Sequence, residues 1–179
     1  MAMDMTFKTP EGRFNYRVCA VIIHEGKLLA MRDRPTSHYY LPGGRVHLHE
    51  SANDAILREI HEELGIEAKI VRPLWFCENF FALDDGGERY HELSLYYLID
   101  ASEAKFLFEN ETFTLMEENE IHLFEWLPFE KLRDTYFYPL FLKKEIFHLP
   151  EHLTMITERK IESLPQQGKG DHFAFQNGG

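Results

Sequence analysis

The sequence predicts an α/β domain in which strands are interleaved with helices. Three observations lead there. Strand-like runs over residues 14–24, 27–32, 90–99 and 121–127 are divided by turns rich in Gly, Asp and Pro. A capped amphipathic helix interrupts them, opening at Ser51 and closing at Gly65. Toward the end, 128–133 and 138–149 read as two further helices, the second amphipathic and stopped by Pro150. A chain of 179 residues can bury a real core. One domain is expected over 1–162, with a Gly/Gln-rich flexible tail over 163–179.

In chain order, 1–13 is a loose lead-in, and 14–24 with 27–32 is a hairpin turning at Glu25-Gly26. Residues 34–37 break the pattern, and 39–41 form a short strand into Pro42-Gly43-Gly44. Beyond the central helix, 67–83 is one long strand or two, with Pro73 marking a break or bulge. Asp84-Asp85-Gly86-Gly87 is a hairpin turn into 90–99. The stretch 101–119, rich in Phe and Glu, reads as a loop with partial structure, and 153–158 as an edge strand.

Composition narrows the function. Hydrophobic residues make up 44% and aromatic ones 14%, too many for a disordered chain. The net charge of −11 argues against a long nucleic acid as partner, since such binding depends on basic patches. A nucleotide stays open, because a bound cation can invert the local sign of a site. Cys19 and Cys77 give neither a disulfide framework nor a ligand spacing, and both sit in apolar runs as buried thiols of a reducing compartment. No run is long enough to span a membrane and no signal-peptide core is present, so a cytoplasmic location is expected. The aromatic hairpin around 75–97 offers a surface for a homodimer.

The chemistry concentrates in residues 44–66, GRVHLHESANDAILREIHEELGI. Ser51 and Asp54 have capping-box spacing, and Gly65 supplies a left-handed end. Ala52, Ile56, Ile60 and Leu64 form an apolar stripe, and Glu59, Glu62 and Glu63 fall on an adjoining arc. Three like charges there repel, and Arg58 is the one basic residue at hand. A hard divalent cation is the alternative partner, since Mg²⁺ prefers carboxylate oxygens. Gly43-Gly44 lets the backbone approach closely enough to add a carbonyl. A bare E-x-x-E-E run is ordinarily a solvated helix face. The glycine, Glu50 and Arg58 at fixed offsets set this one apart.

Gly44, Glu50, Arg58, Glu59, Ile60, Glu62, Glu63, Gly65 and Ile66 match every defined position of the Nudix box, and the chain resembles that family. Chance agreement at seven single-residue positions is on the order of one in a hundred million. The resemblance fixes the topology as an α/β/α sandwich, a mixed sheet with helices on both faces. It implies hydrolysis of a pyrophosphate bond in a nucleoside diphosphate linked to another group, such as an NTP, a nucleotide sugar or ADP-ribose. It further implies Mg²⁺ as cofactor, with Mn²⁺ as substitute, and a small nucleotide as partner. A nucleotide-sensing module without turnover is the alternative, although such modules typically carry damaged boxes.

Carried over by position, Glu59, Glu62 and Glu63 are the expected metal ligands, with the Gly44 carbonyl added. Glu59 is a ligand or a base. Arg58 is expected to pair with Glu50 or Glu59 and hold the carboxylates in register. Among Glu117, Glu118 and Glu120, ahead of the strand at 121, Glu120 is preferred as a further ligand or base, with Glu92 a weaker candidate. Tyr40, Arg45 and Phe80 are candidates for substrate binding. His47 and His49 project similarly from the loop, within reach of phosphate, and no third soft ligand supports a zinc site. About sixteen positions beyond the box, where some Nudix subgroups carry Pro or Tyr, this chain has Phe81 and Ala82. That departure weighs against the ADP-ribose and dinucleoside-polyphosphate readings.

Overall fold

The strand face that buries the box helix is read most directly from β2 (Gly12–Val21) and β4 (Lys27–Asp33). In β2, Val18 and Ala20 enter one core while Cys19 and Val21 enter another. In β4, Leu29 and Met31 enter the first, Leu28 and Ala30 the second. A period of two with both faces apolar marks strands covered on both sides. The computed structural model, which describes residues 2–33, 38–82, 87–117 and 120–160, has that arrangement.

The strands fall into two sheets. Five are ordered β1 (Thr6–Thr9), β2, β6 (Arg89–Asp100), β5 (Lys69–Ala82) and β9 (Thr154–Arg159). Four are ordered β3 (Ile23–His24), β4, β8 (Glu120–Pro128) and β7 (Thr112–Glu117). The first sheet is mixed, with β2 parallel to β6 and β5 parallel to β9, and the second is antiparallel. Both sheets contribute to both cores. The helix α1 (Ala52–Leu64) packs in the first core, and α2 (Phe129–Leu132) with α3 (Leu142–Glu145) packs in the second. The α/β/α layering is therefore as expected, with the mixed sheet divided in two.

Most elements stand where the sequence puts them. Glu25 and Gly26 both have positive φ, 46° and 74°, the pattern of a type I′ turn between β3 and β4. Most of the run at 14–24 pairs with β1 and β6 instead, so the expected hairpin is reduced to its tip. Near Pro73 the register of β5 against β6 shifts, which resolves 67–83 as one strand with an irregularity. β5 and β6 are antiparallel as a hairpin requires, although residues 84–86 lie outside the described residues, as does the expected tail. The partly structured stretch 101–119 supplies a 3₁₀ turn at Lys105–Phe108 and the strand β7.

The helix expected over 138–149 is the main correction, because helix persists only at Leu142–Glu145. Its first N–H groups are recruited elsewhere. Tyr138 N–H donates to Tyr39 O at 2.9 Å, and Leu140 N–H donates to the Glu158 carboxylate of β9 at 3.3 Å. The stretch is thus tied to Tyr39 and to β9 through Leu140, and the chain turns helical only beyond those contacts.

Cys19 and Cys77 are buried, and burial pushes each thiol up to about 12. At pH 8 the reactive thiolate is then on the order of one molecule in ten thousand. Ellman's reagent is expected to find no thiol in the folded protein and both in guanidinium. Equal labelling rates in the two conditions would refute this packing.

Candidate active site

The box helix begins and ends as its sequence dictates. Ser51 Oγ accepts from Asp54 N–H at 3.1 Å, and Gly65, at φ 67°, donates its N–H to His61 O. Ile56, Ile60 and Leu64 are buried, each side chain stabilising the fold by about 1.5–3 kcal/mol. Ala55 is buried with them, while Ala52 only borders the core. Glu63 falls on the same inward side and is only 7% exposed, whereas the Glu62 side chain is 42% exposed.

Arg58 gathers the loop and the helix. Its Nε–H donates to Glu50 Oε1 at 2.8 Å, and Nη2 donates to Glu50 Oε2 and Arg45 O, both at 3.0 Å. Nη1 donates to Glu59 Oε1 at 2.7 Å and to Glu62 Oε2 at 2.8 Å. A guanidinium carries five N–H donors, and these contacts occupy all of them. Three carboxylates share that single positive charge. Arg58 holds Glu50 below the usual carboxylate range, helped by the N–H of His47. Burial pushes Glu59 up, and Arg58 opposes that shift without cancelling it.

The two glycines ahead of the loop act differently. Gly43, at φ 134°, presses on the Val18 carbonyl, where any Cβ would strike backbone. Its N–H donates to Glu63 Oε2 at 2.8 Å, and its carbonyl accepts from Arg17 Nη2 at 3.2 Å. Gly44 faces the Glu59 carboxylate, so a Cβ there would occupy the space taken by those oxygens. The Gly44 carbonyl accepts from Val18 N–H at 2.9 Å, which leaves its second lone pair.

The remaining candidates are placed less uniformly. Tyr40 donates its hydroxyl to Asp33, whose other oxygen lies 2.6 Å from His122 Nδ1, so a side-chain chain joins the approach to the box with the start of β8. Arg45 Nη1 pairs with Asp4 at 3.2 Å, and Arg45 Nε is buried without a hydrogen-bond partner among the described residues. Phe80 stacks on His91 at 4.5 Å beneath Arg159, on the five-stranded sheet. Glu92 accepts from Asn15 and Ser94. Glu120 opens β8, but its side chain, that of Glu117 and the whole of Glu118 lie outside what is described. His47 and His49 do not project alike: His47 lies between Asp4 and Glu50, and His49 is exposed at φ 71°.

Besides Asp33 and His122, two residues beside the box loop escaped the sequence reading. Arg17 touches Gly43, and although burial alone would lower its pKa, the carboxylates of Glu92 and Glu63 hold it above its ordinary value. Its signal was a charge within an apolar strand. Asp4, in the expected loose lead-in, carried no signal.

Among the described residues, no three acidic or imidazole side chains are already gathered as a coordination shell. The donor set nonetheless suits a hard cation. Glu50, Glu59 and Glu62 exceed their one guanidinium by two negative charges, and all candidate donors are oxygen. The glycine pair gives a test of these roles. Gly43→Ala is expected to lower the melting temperature by several degrees, through backbone collision and positive φ. Gly44→Ala meets only the end of a flexible side chain, so it should melt within about 2 °C of wild type while losing at least tenfold in activity. Thermal melts beside turnover assays check both, and a Gly44→Ala variant of normal activity would refute the role given to that space.

No curated protein sequence matches the chain. Among solved structures it resembles a UDP-X diphosphatase, with 21% identity, 83% of this chain and 68% of that one covered, and a TM-score of 0.52. It also resembles a mutator MutT protein from Bacillus halodurans, with 15% identity, coverage of 81% and 89%, and a TM-score of 0.57. A NUDIX hydrolase from Nitrosomonas europaea gives 17% identity, coverage of 74% and 86%, and a TM-score of 0.50. These likenesses show a shared fold. The sequence model of the NUDIX domain matches residues 13–146, spanning the box and the strands on either side, so the chain belongs to the Nudix family and is a pyrophosphohydrolase of that type.

Proposed function

We propose that this enzyme hydrolyses the pyrophosphate bond of a small nucleoside diphosphate derivative, of the class that includes NTPs, nucleotide sugars and ADP-ribose. The observation that carries the reading is the excess of carboxylate around Arg58, beside a glycine that leaves room for Glu59. Glu59 and Glu62, with Glu63 and the Gly44 carbonyl, would hold Mg²⁺ or Mn²⁺. When bound, the cation neutralises phosphate charge and lowers the pKa of a water ligand.

The chain's own residues then act by position. Arg58 fixes the rotamers of Glu59 and Glu62 from one nitrogen, and Glu50 fixes Arg58 by a two-point contact. Glu63 ties the helix to the Gly43 amide, which keeps the glycine loop against α1. Glu120 is the proposed further ligand or base. Support for it comes from the Tyr40–Asp33–His122 connection, which brings the start of β8 toward the residues preceding the box. Little covalent chemistry is required, since in-line attack on a neutralised pyrophosphate depends mainly on alignment.

The test is a nucleotide panel incubated with Mg²⁺, Mn²⁺ or EDTA, with products resolved by anion exchange. Wild type is expected to cleave at least one class of derivative in a metal-dependent way. Glu62→Gln/Glu63→Gln should lose at least a hundredfold in kcat. Nucleotide binding without cleavage across the panel would replace the hydrolase with a sensing module.

A further inference from the structure

Residues 3–5 lie ahead of the segment matched by the family, yet they are built into the box loop. Met5 N–H donates to Val46 O and Leu48 N–H to Met3 O, both at 2.8 Å, so the segment runs beside the loop as an extra rung. It is anchored from behind. β1 pairs with β2, Phe7 stacks on Phe14 at 5.0 Å, and the Thr6 hydroxyl donates to Asn15 Oδ1 at 2.6 Å.

Asp4 sits where this segment meets the loop's side chains. Its Oδ2 lies 3.2 Å from Arg45 Nη1, and its Oδ1 lies 3.4 Å from His47 Nε2. The other nitrogen of His47 is 3.6 Å from Glu50 Oε2, and the His47 N–H donates to that same oxygen at 2.8 Å. Glu50 in turn makes the two-point contact to Arg58, which holds Glu59 and Glu62. A path of polar contacts therefore runs from Asp4 through His47, Glu50 and Arg58 to both carboxylates. Asp4, Arg45 and His47 occupy no defined position of the box, so this support belongs to the chain rather than to the motif.

We propose that Asp4 is a positioning residue for the hydrolysis, holding the loop that aims Arg58 and, through it, Glu59 and Glu62. The inference rests on the reading of the site given above. Magnitudes separate its role from a stabilising one. The Asp4 side chain is 40% exposed and that of Arg45 38%, and exposed ion pairs contribute little to stability. Outer partners of a ligand set, by contrast, commonly change metal affinity or activity about tenfold or more. Asp4 acts through three intermediates, His47, Glu50 and Arg58, so a loss at the low end of that range follows.

The experiment compares wild type with Asp4→Ala, Asp4→Glu and Lys8→Ala by thermal melting, Mn²⁺ titration followed by EPR of the free ion, and steady-state turnover. Lys8 pairs with Glu88 farther along the same segment and serves as the control. Asp4→Ala should weaken Mn²⁺ binding and lower kcat about threefold to tenfold, with KM nearly unchanged and melting within about 2 °C. Asp4→Glu should recover most of both losses, and Lys8→Ala should show neither. Wild-type Mn²⁺ affinity and kcat in Asp4→Ala would overturn the proposal. So would equal losses in Lys8→Ala that track its melting temperature, because the segment would then only stabilise the fold. If wild type cleaves no nucleotide, the hydrolase reading fails while the Mn²⁺ comparison still decides the role of Asp4. A wild type that also fails to bind Mn²⁺ overturns both.

Discussion

One guanidinium organises the site. Each donor of Arg58 has a different acceptor atom, drawn from the loop (Arg45 O and both Glu50 oxygens) and from the helix (Glu59 and Glu62). Lysine could supply the charge but not this planar fork, so the geometry and not the sign of the residue is what the loop depends on. The arrangement also explains how a like-charged arc survives on α1. Glu59 and Glu62 meet at a shared nitrogen, which converts their mutual repulsion into a common attraction, incompletely because negative charge remains in excess.

The fold contributes by bringing unrelated stretches to that nitrogen. α1 is pressed onto the sheets by Ile56 and Ile60, which fixes its rotation and so the direction of Glu59 and Glu62. The loop is fixed independently, because Gly43 and Gly44 lie against Val18 of β2 closely enough that Val18 N–H bonds Gly44 O. The site is the seam between those two rigid parts. Arg17 supports it from within β2 by holding the Gly43 carbonyl.

Local chemistry was legible in the sequence, and distant pairing was not. The cap at Ser51, the left-handed Gly65, the turn at Glu25-Gly26 and the irregularity near Pro73 all express preferences of a few neighbouring residues. The box spacing singled out Arg58 and offered Glu50 or Glu59 as its partner; the structure has it take both, and Glu62 one helical turn on as well. Asp33 and His122 are 89 positions apart, and Asp4 and Arg45 are 41 apart, so no window could reveal their contacts. The shortened helix near the end is the converse case. Its apolar period was genuine, as Leu142 and Ile146 are both buried, but the period does not show that Glu158 and Tyr39 capture the preceding stretch.

The doublet Glu62-Glu63 carries a last consequence of helical geometry. Adjacent residues on a helix point about 100° apart, so two identical side chains meet different surroundings. Glu62 is partly exposed and answers to Arg58, while Glu63 enters a position otherwise fit for an apolar residue and answers to the Gly43 amide. A buried carboxylate needs such a donor, since an unpartnered one would cost several kcal/mol. By accepting from Gly43, Glu63 fastens the helix to the backbone of the residue just before Gly44, the glycine that leaves room for Glu59. The two glutamates are therefore not equivalent by construction. Reorienting Glu62 breaks a partly exposed contact to Arg58, whereas reorienting Glu63 breaks a buried one to the Gly43 amide.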